Sequence, residues 1–270
     1  MKETNIENGL KEFLDRKVIE FNNPAFIKDD PVCIPHLFSK KQDIEIAGFF
    51  AAIFAWGIRK TIINKSKSLL QLMDNEPYLF CLQHTDNDLK RLERFCHRTF
   101  NDTDLLYFIS FLKSHYTKYP SLESAFFNNL PAGQASNTTK PSTDIIENSL
   151  NYFYQYFFSL DDVPQRTKKH IASPQKNSSC KRLNMFLRWM VRNDHKGVDF
   201  GIWKKISPSQ LICPVDVHVA RVAKNFNLLQ RKQVDWLAAV ELTNELRKLD
   251  KEDPVKYDFA LFGLGVLEKY

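Results

Sequence analysis

The sequence predicts an all-α protein of two helical lobes with a cleft between them, and three observations carry that expectation. Only 8 of the 270 residues are glycine, about 3% against an average of ~7%, too few for a turn-rich barrel or sandwich. Apolar residues recur at three- and four-residue spacing through most of the chain, with no alternating strand pattern longer than a few residues. One stretch of turn formers, Pro131 to Ser142 (PAGQASNTTKPS), breaks the pattern and is a natural joint between lobes. The 43% apolar and 26% charged content suits a chain that buries a core, and 22 phenylalanines make that core aromatic. The whole chain, 1–270, reads as a single two-lobed domain.

The elements follow in order. Leu10, Phe13 and Leu14 mark a first amphipathic helix. Ile44 to Trp56 is apolar all round and predicts a central buried helix. A further helix runs from Ile58 to Met73 after Gly57. Pro77 after Glu76 opens a short helix at its first position. Leu105, Phe108, Ile109, Leu112 and Tyr116 form a helical stripe with Asn101 or Thr103 as its cap. A helix rich in Tyr and Phe covers Asp144 to Leu160. Leu183, Phe186, Leu187, Met190 and Val191 make a second clean stripe, with Arg182, Arg188 and Arg192 off it. Ser207-Pro208 is a cap-and-first-position pair. Val215, Val219, Val222 and Phe226 form another stripe. Asp253-Pro254 opens a last helix through about Leu267. Ten or more helices are expected.

The longest apolar run, Ile46 to Ile58, is 13 residues, short of the ~20 that cross a bilayer. The start of the chain mixes acids and bases without an apolar core, unlike a signal peptide. Five scattered cysteines, Cys33, Cys81, Cys96, Cys180 and Cys213, with no CxxC pair, fit free thiols in a reducing cytoplasm. Neither Cys33/His36 nor Cys96/His97 makes a metal site, and no cofactor is called for.

Net charge is +6 and unevenly placed. From Val163 to Asn193 there is no acid, and that window carries Arg166, Lys168, Lys169, Lys176, Lys181, Arg182, Arg188 and Arg192. A concentrated basic segment is the footprint of a polyanion partner, or else a solvated basic face.

Two segments stand out inside or beside it. The first is Ser173-Pro-Gln-Lys-Asn-Ser-Ser-Cys-Lys181-Arg-Leu-Asn-Met-Phe-Leu-Arg-Trp-Met190, a polar turn leading into a helix that begins at Cys180 or Lys181. The second is Cys213-Pro-Val-Asp216-Val-His-Val-Ala-Arg221-Val, in which Pro214 ends one element and Asp216 starts a helix. Together they resemble the helix-hairpin-helix DNA glycosylases, the superfamily of endonuclease III and the archaeal 8-oxoguanine glycosylases. Pro214 to Val222 resembles that superfamily's most distinctive motif. Tyr257-Asp-Phe-Ala-Leu-Phe-Gly-Leu-Gly265 is similar to its last core helix. Cys180 to Arg192, with Gly197-Val-Asp-Phe-Gly-Ile-Trp203, resembles an uncharacterised bacterial branch. The resemblance spans Ser173 to Gly265, and it places the hairpin and catalytic region at about 165–225.

The chemistry is legible in the residue types. Cutting a base from deoxyribose needs an oxocarbenium-like sugar to be stabilised by a carboxylate or trapped by an amine. Lys181 and Asp216 supply that pair, neither requiring a metal. The resemblance implies Lys181 as nucleophile and Asp216 as proton acceptor or cation stabiliser. A partly neutral Lys181 would be favoured by burial and by Arg182. Read singly, Lys181 is also a phosphate-facing lysine and Asp216 only an N-cap.

The DNA contacts expected are Lys176, Asn177, Ser178, Ser179, Arg182, Arg188, His218 and Arg221. His218 reads as a packing or phosphate contact, and Arg188 and Arg221 as backbone contacts or surface charge. Trp56, Trp189 and Trp203 read as core before base-stacking walls, and Cys180 as a small buried residue. The family's hairpin is glycine-rich, whereas Asn177-Ser178-Ser179 stand here. Asn tolerates a left-handed backbone and Ser offers a hydroxyl. No cysteine follows Cys213, so the iron–sulfur cluster of the endonuclease III branch cannot be built. The expected function is a DNA base-excision glycosylase, with AP-lyase activity where the amine acts, on a damaged base, oxidised by family analogy. The expected partner is double-stranded DNA with a flipped base, the protein a cytoplasmic monomer without membrane contact. The alternative is a non-catalytic nucleic-acid-binding module on the same fold. A helical protein-interaction scaffold has no need of an acid-free basic window.

Overall fold

The computed structural model describes residues 2–128 and 142–270, with side chains from 9 to 128 and from 144 to 270. Most of the stretch 131–142 therefore lies outside the described residues. Thirteen α-helices are present among the described residues, joined by short 3-10 turns. They are α1 (Lys2–Phe21), α2 (Pro24–Ile27), α3 (Lys41–Phe54), α4 (Arg59–Leu72), α5 (Pro77–Gln83), α6 (Asp86–Lys90), α7 (Asp102–Lys118), α8 (Glu123–Phe127), α9 (Ser142–Phe157), α10 (Lys181–Val191), α11 (Val217–Asn225), α12 (Trp236–Leu249) and α13 (Tyr257–Val266). One antiparallel pair of two-residue strands, β1 (Cys96–His97) and β2 (Phe100–Asn101), is the only sheet among them. No described helix is long and apolar enough to cross a membrane.

The chain divides into two compact units, one of Met1–Phe26, Ala135–Asn148 and Ser173–Tyr270, the other of Ile27–Gln134 and Ser149–Ala172. In the second unit α3 is buried from Ile44 to Phe54, apolar there on every side except at Glu45, whose carboxylate takes the Tyr116 hydroxyl at 2.9 Å and the Leu122 amide at 3.0 Å. Around it Phe49, Phe108, Phe111, Phe153 and Phe157 meet edge-on and stacked; Phe108 and Phe157 lie 4.7 Å apart centre to centre. Each buried Phe contributes roughly 1.5–3 kcal/mol, and each aromatic pair about 0.5–1.5 more. Asn101 caps α7 in a reciprocal box with Asp104. The buried Asp104 carboxylate also takes the Thr167 hydroxyl at 2.7 Å and faces His170 at 3.1 Å.

Two details depart from the sequence reading. The buried helix ends at Phe54, and Trp56, expected in the core, is 46% exposed. Asp253-Pro254, expected to open the last helix, opens a 3-10 turn (Pro254–Lys256) just before α13, and the Asp253 carboxylate accepts from Arg192 at 2.8 Å.

In the first unit α13 packs on α1 and on α11. Two glycines set how near they come. A Cβ at Gly263 would stand 2.2 Å from the Phe21 ring of α1. At Gly265 it would press on His218 and Val222 of α11 at 3.2 Å. α12, which none of the stripes above marks, is capped by Asp235 and held by a Trp236 Nε1 bond to Glu147 at 2.9 Å.

Candidate active site

The candidate site lies wholly in the first unit and is built from two helix starts. The turn into α10 has two left-handed residues, Asn177 at φ 55° and Cys180 at φ 52°. Asn is among the residues that tolerate this region. Ser178 Oγ accepts the Cys180 amide at 3.1 Å, which holds the turn. Ser179 Oγ donates to the Val215 carbonyl at 3.3 Å, and its own carbonyl takes Asn184 Nδ2 at 3.1 Å. That first bond clasps the hairpin turn to the residue just before Asp216, so thirty-five positions of chain close on themselves. Among the described residues, the amides of Ser178, Ser179 and Lys181 donate to no acceptor.

Lys181 opens α10, and Asp216 caps α11, its Oδ1 accepting the His218 and Val219 amides, both at 2.9 Å. Its other oxygen, Oδ2, faces Lys181 Nζ at 3.3 Å. Both side chains keep solvent access, at 29% and 18%. Burial pushes the Asp216 carboxyl up, but the Lys181 ammonium and the two amides outweigh it and hold the group below the ordinary carboxylate range.

Behind this pair runs a buried chain of charges. Arg188 pairs with Asp258, and with Asp199 at 3.4 Å. Arg192 takes Asp199 at 3.1 Å, Asp194 at 2.7 Å and Asp253 at 2.8 Å. The Arg188 guanidinium lies over the Phe259 ring at 4.2 Å. Asp258 is raised to about 6, by burial first and against the pull of Arg188, with the Asp216 charge adding to the rise and Lys181 opposing it. Asp258 is thus electrically part of the Lys181–Asp216 site. The sequence signal for Asp199 and Asp258 was an acid flanked by apolar residues, in Val-Asp-Phe and Tyr-Asp-Phe.

The predicted contacts divide. Lys176 and Asn177 are exposed at the hairpin, Ser178 and Ser179 half-buried in it, and Arg182 half-buried beside it. Arg188 is corrected: it is 4% exposed and engaged by two carboxylates, so it holds the core rather than facing a phosphate. Arg192 is likewise buried, so two of the eight basic residues in the acid-free window are internal. Arg221 is exposed but donates to the Gly265 and Tyr270 carbonyls at 2.8 and 3.0 Å, tying down the end of the chain. His218 is half-buried, its Nδ1 without a partner among the described residues. Trp189 and Trp203 are core, at 0% and 1%. Burial pushes the Cys180 thiol up to about 12 and Cys213 well above its ordinary value, which leaves neither as a thiolate nucleophile. Among the described residues no group of His, Cys, Asp and Glu is arranged to hold a metal.

The chain belongs to the family described as protein of unknown function (DUF2400), whose model matches residues 30–267. The match takes in the hairpin, Lys181 and Asp216. No curated protein and no solved structure matches the chain.

Proposed function

We propose that this chain is a DNA base-excision glycosylase whose amine chemistry extends to AP-lyase activity. The observation that carries the reading is the Lys181–Asp216 pair, an amine and a carboxylate 3.3 Å apart with solvent access, directly after a hairpin turn with free amides. Three amides near a helix start favour a phosphate. Exposed Lys176 adds charge there. A nucleotide anchored at the turn has its sugar within reach of Lys181.

In this reading the Lys181 ammonium first passes one proton to Asp216, the freed amine attacks C1′ of the damaged nucleotide, and the C1′–N bond breaks with its electron pair leaving on the base. The proton lost by the amine passes through Asp216 to the departing base. The C1′–O4′ bond then breaks, a proton moving from the Lys181 nitrogen to O4′, which leaves a Schiff base between Lys181 and C1′. The depressed Asp216 carboxyl is ionised at neutral pH. It therefore serves first as the fixed negative charge that stabilises the developing sugar cation. The basic residues that remain outside the core supply the sequence-independent attraction to the duplex.

The test is incubation of the full chain with duplexes carrying a panel of oxidised, alkylated and deaminated bases, with borohydride present. Reduction of the C=N bond leaves a covalent protein–DNA adduct. Lys181→Gln should abolish the adduct. Asp216→Asn, which still caps α11, should lower base release by about a hundredfold or more while DNA affinity is nearly retained. If no duplex in the panel gives adduct or free base, the glycosylase reading fails and a non-catalytic nucleic-acid-binding module takes its place.

A further inference from the structure

The second unit carries a surface that the Lys181–Asp216 site does not use. After α3 ends, Trp56 stands 46% exposed, followed by Gly57 at φ 117° and Ile58, 74% exposed. The Arg98 guanidinium lies 4.3 Å from the centre of the Trp56 ring. Arg98 is held there from both sides. It is itself left-handed, at φ 56°, on the turn between β1 and β2. Its Nη1 lies where Gly57 has no side chain: a Cβ there would stand 2.6 Å away. The turn is fixed in turn by His97 Nε2, 3.0 Å from the Phe54 carbonyl at the end of α3.

The surroundings are cationic. From Ile46 to Met73 the chain has no acid and carries Arg59, Lys60, Lys65 and Lys67. Arg166, from the separate acid-free window, donates to the Thr99 carbonyl at 3.0 Å, one residue from Arg98. The two carboxylates that follow β2 in the chain are engaged: Asp102 accepts the Arg94 and Thr103 amides, and buried Asp104 faces Arg166, Thr167 and His170. Trp56 thus stands in one acid-free basic segment, and Arg166 of the other reaches the turn that carries Arg98.

We propose that Trp56, backed by Arg98, is a stacking platform for an unpaired nucleobase, with the surrounding cations taking the flanking phosphates. An open aromatic face binds any base through its π-surface, and a stacked guanidinium adds to the attraction. The space at Gly57 that Arg98 fills and the His97–Phe54 bond keep the platform formed before a ligand arrives, which lowers the ordering cost of binding. Only the choice of nucleic acid as the polymer rests on the glycosylase reading; the platform is a separate surface on a separate unit.

The test uses intrinsic fluorescence. The other tryptophans, Trp189, Trp203 and Trp236, are 0%, 1% and 4% exposed, so quenching by a ligand reports on Trp56. The probe is a short oligothymidylate, against a duplex of matched length and an abasic single strand. Oligothymidylate should quench the native chain. Trp56→Ala should weaken its binding about tenfold and Trp56→Phe, which keeps a ring, by less than about threefold, while duplex binding changes little. Equal affinity of Trp56→Ala and the native chain for oligothymidylate, absence of quenching, or equal binding of the abasic strand each overturns the platform. The Lys181→Gln variant should quench normally. An adduct without quenching defeats only the platform, and quenching without an adduct defeats only the glycosylase.

Discussion

Asp258→Asn should make the protein more stable relative to the native chain as the pH rises, against the usual expectation for losing an ion pair. Asp258 is buried beside Arg188, and its carboxyl is raised to about 6. An unfolded Asp titrates near 3.9. Between those values the folded state binds a proton that the unfolded state has released, so stability from this group is complete below about 3.9 and is lost as pH rises through about 6. Roughly two pKa units correspond to about 3 kcal/mol. Asparagine keeps the shape of the protonated acid and cannot ionise, so it escapes this loss. Urea unfolding of both proteins at steps from pH 4 to pH 8 gives the difference in stability. That difference should swing toward the variant by about 2.5 kcal/mol over this range, most steeply between pH 4 and 6, whatever its value at pH 4. A flat difference, or a swing toward the native chain, would show that Arg188 and not burial dominates Asp258.

Gly263→Ala should cost about 1–2 kcal/mol, because overpacking against the Phe21 ring outweighs the helix propensity gained. A raised urea midpoint refutes the close approach of α13 and α1. Asp216→Ala should destabilise by about 1 kcal/mol or somewhat more at neutral pH through loss of the α11 cap. Since the folded Asp216 pKa is lowered, that cost should be present above the ordinary carboxylate value and vanish as pH falls through the lowered one; an acid-independent cost counts against it. Affinity for DNA should fall steeply with salt, and Lys176→Ala or Arg182→Ala should weaken all sequences alike and each reduce the salt slope by about 1. An unchanged slope removes these residues from the footprint.

Much of the helical architecture was legible because its signals are local. The stripes at Leu105–Tyr116 and Leu183–Val191, the cap at Asn101, the prolines at 77 and 208 and the start of α11 at Asp216 depend on residues a few positions apart, and α7, α10 and α11 stand where those signals place them. Local signals fail where an element is short or lacks a stripe, as at α12 and the β1–β2 turn. They fail again where an apolar run outlasts its helix: Trp56 belongs to the run by composition and to the surface by position, because α3 stops at Phe54.

Lys181 and Asp216 were each visible as residues at helix starts, and their order in the chain suggested a pair. Their 3.3 Å separation was decided by the fold, through the Ser179–Val215 bond that joins two segments distant in sequence. The fate of the arginines was decided there too. Arg188 and Arg192 sit off the apolar stripe of α10, where a sequence puts surface charge, yet carboxylates at 194, 199, 253 and 258 enclose them. A charge is surface or core according to what packs against it, and burying an ion requires partners that its own helix does not contain. Periodicity and caps act within a few residues and are written along the chain; pairing across a core depends on which distant segments meet.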